Sequence, residues 1–166
     1  MSWSKIIAIS TIALLVLGFV TINSVVAGEK VTWHGTSLMT ESKQVEVGDV
    51  EGHVLAISKF QQLFINNKTG EKMASTSVGS MDMNPKLKQF QMTGYGWSVD
   101  NEGDKIFRTF DGQPIGQGQW KGTWKYVSGT GKFEGIKGSG TWTSYSMGEG
   151  QQSYMETEGD VEYPQQ

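Results

Sequence analysis

Beyond Gly28 the chain consists of short runs of β-branched and aromatic residues, and glycine or asparagine separates one run from the next. No long stretch carries apolar residues at the i, i+3, i+4, i+7 spacing of an amphipathic helix. Runs of this length and composition are typical of β-strands. The pattern therefore predicts an all-β domain, with candidate strands at residues 31–39, 43–47, 53–65, 71–77, 88–99, 105–110, 118–127, 131–133, 138–146 and 153–163.

The segment 116–126 has the clearest alternation in the chain. One set of alternating positions is glycine or aromatic: Gly118, Trp120, Gly122, Trp124 and Tyr126. The other set is polar: Gln117, Gln119, Lys121, Thr123 and Lys125. A strict period of two predicts a strand with one buried and one solvated face. Glycine beside tryptophan suits a curved strand, because glycine lets the chain coil and leaves room for a ring from the neighbouring strand.

Residues 138–142 repeat this alternation of glycine and tryptophan on a later strand. Turn-forming sequences such as Asp111-Gly112 join the strands, and short connections favour antiparallel neighbours. Curvature and many sequential strands together predict a closed antiparallel barrel, which leaves no sheet edge exposed. A flattened sandwich is the alternative architecture for the same pattern.

The first 27 residues have a different character from the rest of the chain. Lys5 precedes an uncharged stretch at 6–26, and Val25 and Ala27 occupy the positions where a signal peptidase requires small side chains. This layout is typical of a signal peptide. We therefore expect a signal helix at 1–27, cleavage after Ala27, and export of one domain, residues 28–166, to the periplasm or the extracellular space. An uncleaved membrane anchor is the alternative, because the apolar run approaches the roughly 17 residues of the shortest spanning helix.

Composition narrows the classes of function. The chain has 166 residues, a net charge of -3 and no cysteine. Its length fits one domain of modest size. Without cysteine it has no disulfide, no thiol nucleophile and no zinc-thiolate cluster. The lysines are scattered among acids, whereas a protein that binds duplex nucleic acid needs a basic face. Nucleic acid is therefore not an expected partner.

The segment 124–142 resembles the late-strand signature of the allene oxide cyclase and dirigent-like barrel proteins. The matching residues are Gly129-Thr130-Gly131-Lys132-Phe133, followed by Gly135-Ile136-Lys137-Gly138. A looser similarity to bacterial exported members extends upstream through Gly52-His53 and Thr109-Phe110-Asp111-Gly112. The resemblance implies an eight-stranded antiparallel barrel with a central cavity, often assembled as a homodimer or homotrimer. In plants such barrels cyclise an unstable epoxide or steer radical coupling.

Arg108 is the only arginine, and its strand face is ambiguous. It shares one face with Ile106 and Phe110, while Phe107 lies on the other. If the face of Arg108 is inward, the guanidinium needs a buried acid or a ligand carboxylate, because an unpaired buried charge is costly. If Phe107 is inward, Arg108 is a surface residue. Periodicity leaves both arrangements open.

His53 and Glu134, together with Arg108, are the three candidates for catalysis. His53 follows Glu51 and opens a strand, so it could act as a general base oriented by a carboxylate. A histidine at a strand end is more often a partly exposed polar residue. The two histidines of the chain, His34 and His53, do not have the spacing of a metal site. We expect no metal and no cofactor.

The aromatic residues are the largest apolar resource for binding. We expect a small apolar or aromatic ligand to stack on aromatic side chains that line the barrel: Trp97, Trp120, Trp124, Tyr126, Trp142 and Tyr145. The same side chains could instead fill a small barrel completely. The alternatives to a binding protein are a cyclase or isomerase that acts by positioning its substrate, and a structural or partner-binding module.

Overall fold

The computed structural model describes residues 28–148 and 151–164. Eight strands form a single closed barrel in which each strand pairs with its neighbours in sequence and the last pairs with the first. The strands are β1 (Glu29–Glu46), β2 (Val54–Asn66), β3 (Lys72–Asn84), β4 (Gln89–Val99), β5 (Lys105–Gly116), β6 (Gln119–Gly129), β7 (Lys137–Ser146) and β8 (Gln152–Glu162). Every pairing is antiparallel. The prediction of an all-β, eight-stranded antiparallel barrel is confirmed.

Three of the predicted strand segments differ from the structure. Segments 31–39 and 43–47 belong to one long strand, β1, whose pairing with β2 shifts register between Met39 and Glu41. The bulge lets the strand bend without ending it. Residues Gly131–Phe133 form a turn of 3-10 helix instead of a strand. Gly131 has a φ of 53°, a left-handed conformation that does not continue a strand.

The alternation in β6 places one side of that strand inside the barrel, as its sequence predicts. Trp124 is buried, while Lys121 and Lys125 are exposed. Two tryptophans inside the barrel, Trp124 and Trp142, lie against glycines of neighbouring strands. A Cβ atom at Gly140 would come within 2.7 Å of the Trp124 ring, and one at Gly122 would come within 2.7 Å of the Trp142 indole. These glycines provide the space that the large rings occupy.

The two ends of the barrel are different. We call the end that carries the β2–β3, β4–β5 and β6–β7 connections the closed end, because the 3-10 helix folds over it. Phe133 and Ile136 from this connection are buried at 5% and 4% exposure. They belong to one apolar core with Val31, Ile106 and Val161, which also lie near the closed end of the barrel. The opposite end, which carries the β7–β8 connection, is the open end.

The predicted signal segment, residues 1–27, lies outside the described residues. Its helix and its cleavage after Ala27 therefore stay predictions. Within the part of the chain that the structure describes, no helix is long and apolar enough to cross a lipid bilayer.

Candidate functional site

A cavity of about 340 Å³ occupies the barrel interior. It extends from Arg108 and Ser98 in the depth of the barrel to Ser144 and Ser146 at the open end. Gln151 in the β7–β8 connection also lines it. Pockets that bind small molecules span about 300–1,000 Å³. The barrel is therefore hollow enough for one small molecule rather than filled by its own side chains.

The wall of this cavity is mainly aromatic and sulfur-containing. Its large apolar side chains are Trp33, Met39, Phe60, Phe64, Met73, Met81, Met92, Phe110, Trp120, Trp124, Tyr126, Trp142 and Met155. Trp124 and Tyr126 pack with ring centroids 4.7 Å apart. Flat rings and flexible methionines adapt well to an apolar or aromatic guest.

Four of the six aromatic residues predicted to line the barrel do so: Trp120, Trp124, Tyr126 and Trp142. The prediction of an inward position is wrong for Trp97 and Tyr145. Trp97 is 38% exposed on the outer face, because its neighbour Ser98 points into the cavity and successive side chains of a strand alternate. Tyr145 likewise alternates with inward Ser144, and its ring lies 6.3 Å from that of Tyr154.

The structure resolves the ambiguity of Arg108 in favour of the barrel interior. Its Nη1 donates to Ser98 Oγ at 2.7 Å, and its Nη2 lies 2.8 Å from Ser75 Oγ. Nη2 also lies 3.1 Å from Gln62 Oε1 and from Ser77 Oγ. All four acceptors are uncharged. Burial lowers the pKa of Arg108 from its usual value, but a guanidinium still carries its charge at neutral pH.

No carboxylate of the described residues pairs with this guanidinium. The ring of Phe64 lies beneath it, with 5.8 Å between Cζ and the ring centroid. Tyr126 is also close, but burial raises the pKa of its hydroxyl to about 12. That hydroxyl is therefore neutral at physiological pH and does not balance the charge of Arg108.

Sequence reasoning missed the polar residues that hold Arg108: Gln62, Ser75, Ser77 and Ser98. Ser75 and Ser77 are buried at 3% and 2% exposure although a hydroxyl is rarely placed inside a small core. The available signal was the spacing of Ser75 and Ser77 on one face of β3, which marks a polar strip only once that face is known to be internal.

His53 lies outside the cavity, in the connection that leads into β2. Its Nδ1 is 2.7 Å from Asp49 Oδ1, and its Nε2 is 3.0 Å from Asp82 Oδ1. The hydrogen bond to Asp49 is the main cause that raises the pKa of His53, and burial partly opposes it. The same bond lowers the pKa of Asp49. The His53 ring, between the carboxylates of Asp49 and Asp82, ties the β1–β2 connection to β3.

Glu134 is exposed at the closed end, so the three catalytic candidates lie at three separate places and only Arg108 lines the cavity. Nearby, carboxylates of Asp100, Glu102 and Asp104 lie close enough together to hold a metal ion. The Lys132 ammonium already occupies this group, at 2.7 Å from Asp100 and 3.2 Å from Glu102. Among the described residues it is the only polar partner of Asp100 Oδ2.

Two solved structures share the architecture. The pterocarpan synthase dirigent protein PsPTS1 is 9% identical, with a TM-score of 0.51 over 83% of this chain and 97% of that chain. The pterocarpan synthase dirigent protein GePTS1 is 12% identical, with a TM-score of 0.50 over 94% of this chain and 100% of that chain. At these identities the likeness shows the fold alone.

No protein-family model and no curated protein matches the chain. The dirigent-like part of the sequence resemblance is confirmed as a fold. Its allene oxide cyclase part and its likeness to bacterial exported proteins stay predictions.

Proposed function

We propose that this protein binds one small apolar or aromatic molecule inside its barrel, without a cofactor. The observation that carries the proposal is a cavity of about 340 Å³ that has an aromatic wall and reaches the open end. The fold shared with two dirigent proteins supports it, because that fold surrounds a central space. Fold alone does not determine function, so the proposal depends on the cavity itself.

The wall favours an apolar guest for a physical reason. Water in a pocket lined by rings and thioethers finds few hydrogen-bond partners, and a guest that replaces it buries its own apolar surface as well. Most polar side chains of the lining lie in the depth around Arg108 or near the open end, as Ser144, Ser146 and Gln151 do. A molecule with an apolar body and polar ends therefore matches the order of surfaces along the cavity.

Binding of the neutral dye N-phenyl-1-naphthylamine tests the proposal. Its fluorescence rises when it moves from water to an apolar site, so a titration gives stoichiometry and affinity. We expect saturable binding of one dye per chain. Ser144→Phe places a ring across the cavity near its mouth and should weaken binding by about tenfold or more.

Ser139→Phe is the matched control, because Ser139 lies on the outer face of the same strand and is exposed. It should bind the dye as the wild type does. Equal binding by both variants would place the dye on the surface and contradict the proposal. Binding that does not saturate would contradict it as well.

A cyclase or isomerase that works by positioning its substrate is the second candidate. The observation that favours it is Arg108, a fixed cation at the deep end of a chamber with a mainly aromatic wall, where it would stabilise negative charge that develops on a reacting molecule. Turnover would show as a bound molecule whose mass is retained while its chromatographic retention changes. A molecule recovered unchanged after prolonged incubation would favour binding alone.

We also propose, from the sequence, that the domain is exported and that it assembles as a homodimer or homotrimer. The outer face carries exposed apolar side chains that an assembly would cover, including Tyr95 at 70% exposure and Val78 at 39%. Native mass spectrometry of protein from its own host tests both points. A chain that retains residues 1–27 would contradict cleavage, and a monomer at micromolar concentration would contradict assembly.

A further inference from the structure

An apolar ligand leaves the charge of Arg108 without a partner. Its four acceptors are the Gln62 side-chain amide and three serine hydroxyls, and none of them is negative. These dipoles fix the position of the guanidinium but do not neutralise it. A buried cation without an anion is unfavourable. Among the described residues, the positive charge of Arg108 therefore has no negative partner inside the barrel.

The hydrogen bonds around Gln62 show that the cluster holds Arg108 in place. Gln62 Oε1 accepts from Ser75 at 3.2 Å and from Ser77 at 2.9 Å, in addition to Arg108. The single O–H of Ser75 is shared between Gln62 Oε1 and the backbone carbonyl of Trp97, which lies 3.0 Å away. Lone pairs of the cluster thus converge on the Nη1 and Nη2 groups of the guanidinium. Such an arrangement preorganises the cation, and a preorganised group loses less freedom when a ligand binds.

Arg108 retains hydrogen-bond donors for a ligand. A guanidinium has five N–H groups, and bonds from Nη1 and Nη2 to the described residues leave Nε–H and one Nη1–H without a protein acceptor. The side chain lies deep inside the barrel yet keeps accessible surface, and that surface lines the cavity. Gly96, opposite Arg108 on β4, keeps this region open, since a Cβ there would lie 3.2 Å from Arg108 Cζ.

We propose that the ligand carries a carboxylate, which enters first and pairs with Arg108 at the deep end of the cavity. This inference rests on the proposed function and identifies the chemical class of the molecule. Arg108 binds the carboxylate, and the aromatic wall holds the apolar body. Charge-assisted hydrogen bonds of this kind are stronger than neutral ones, most of all where water is excluded.

Other acidic groups fit the cluster less well. A phosphate monoester brings about -1.5 to -2 charges at neutral pH, and Arg108 is the only cation that lines the cavity among the described residues. A phenol has an ordinary pKa near 10 and is neutral at pH 7, so it leaves the charge unbalanced. A carboxylate is a monoanion over the whole physiological range and matches one guanidinium.

Isothermal titration with 2-naphthoate and 2-naphthamide tests the proposal. The two probes have nearly the same shape and differ in charge. We expect the wild type to bind naphthoate about tenfold more tightly than naphthamide, or better. Arg108→Met should remove that preference while naphthamide still binds. Lys125→Met removes the same charge from the outer face of β6 and should keep the preference.

The outcomes separate this inference from the function on which it rests. Equal binding of both probes by the wild type would overturn the proposal that the ligand carries a carboxylate and leave the binding function intact. Failure of both probes to bind would overturn the two together. The wild-type comparison needs no variant. If Arg108→Met does not fold, Arg108→Lys replaces it in the comparison of the two probes. This variant keeps the charge on a shorter and less directional group. A preference that survives in Arg108→Met would also overturn the assignment of Arg108.

Discussion

Trp142→Phe is the substitution whose effect the structure defines best. The Trp142 indole is 6% exposed and extends from β7 across Gly122 of β6 towards β5. Its Nε1–H donates to the backbone carbonyl of Asp111 at 2.9 Å and lies 3.2 Å from that of Thr123. Phenylalanine keeps one six-membered ring but removes the N–H and part of the packed surface. One side chain therefore links three adjacent strands, and the substitution weakens that link.

The expected cost combines two contributions. Loss of a buried hydrogen bond costs about 0.5–1.5 kcal/mol. Truncation of a buried tryptophan to alanine costs about 3–5 kcal/mol, and phenylalanine retains more than half of the ring system, so lost packing accounts for about 1–2 kcal/mol. The sum is about 1.5–3.5 kcal/mol. For a domain of this size each kcal/mol lowers the melting temperature by about 4 °C, which predicts a fall of about 6–14 °C.

Thermal and urea unfolding followed by far-ultraviolet circular dichroism measure this change. Trp97→Phe is the control, because the same chemical change occurs on the outer face, at a side chain 38% exposed. It should alter the free energy of unfolding by less than about 0.5 kcal/mol. Equal effects of the two substitutions would refute the reasoning, and so would a loss below about 1 kcal/mol for Trp142→Phe.

Two further predictions concern ion pairs near the barrel ends. Lys132→Met should lower the melting temperature at pH 7 more than Lys125→Met does, because it leaves buried Asp100 without its cation. Burial alone would raise the pKa of Asp100, but bonds from Lys132 and backbone N–H groups lower it. The Asp100 carboxylate therefore contributes its full stability above pH 3.8, and this contribution fades as the pH falls further. The difference in melting temperature between Lys132→Met and Lys125→Met should become smaller at acidic pH. The pKa of His53 is raised mainly by Asp49, so the stability that His53 contributes is complete below pH 6.5 and is lost as the pH rises through the raised pKa. Hydrogen exchange in residues 47–53 should therefore accelerate with pH more than the intrinsic exchange rate does. His53→Gln should abolish that additional acceleration.

The sequence predicted the barrel because its strongest patterns are local. In β6 the alternation of Trp124 with Lys125 depends only on one buried and one solvated face. Glycines at positions such as Gly140 mark where a neighbouring ring lies against the backbone. Such patterns survive without knowledge of which strands pair.

Residues on β4 and β5 could not be placed by the same rule. On β4 the inward positions include Gly94 and Gly96, which make room for Phe110 and Arg108 of β5, while Trp97 faces outward. An aromatic residue outside and glycines inside reverse the usual hydrophobic pattern. A strand shifted by one residue exchanges its two faces, so the position of Arg108 depended on long-range pairing that no local pattern contains.

Phe133 and Ile136 cover the closed end, so among the described residues the cavity opens at the opposite end of the barrel. A guest must leave by the route through which it came, and the part that enters first is the last to depart. Two molecules cannot exchange by following one another through the chamber, so each departure precedes the next arrival. The trailing part of the guest rests among Ser144, Ser146 and Gln151, next to solvent. The barrel therefore discriminates between molecules by the part that enters first. Groups attached to the trailing end extend into water and affect binding little.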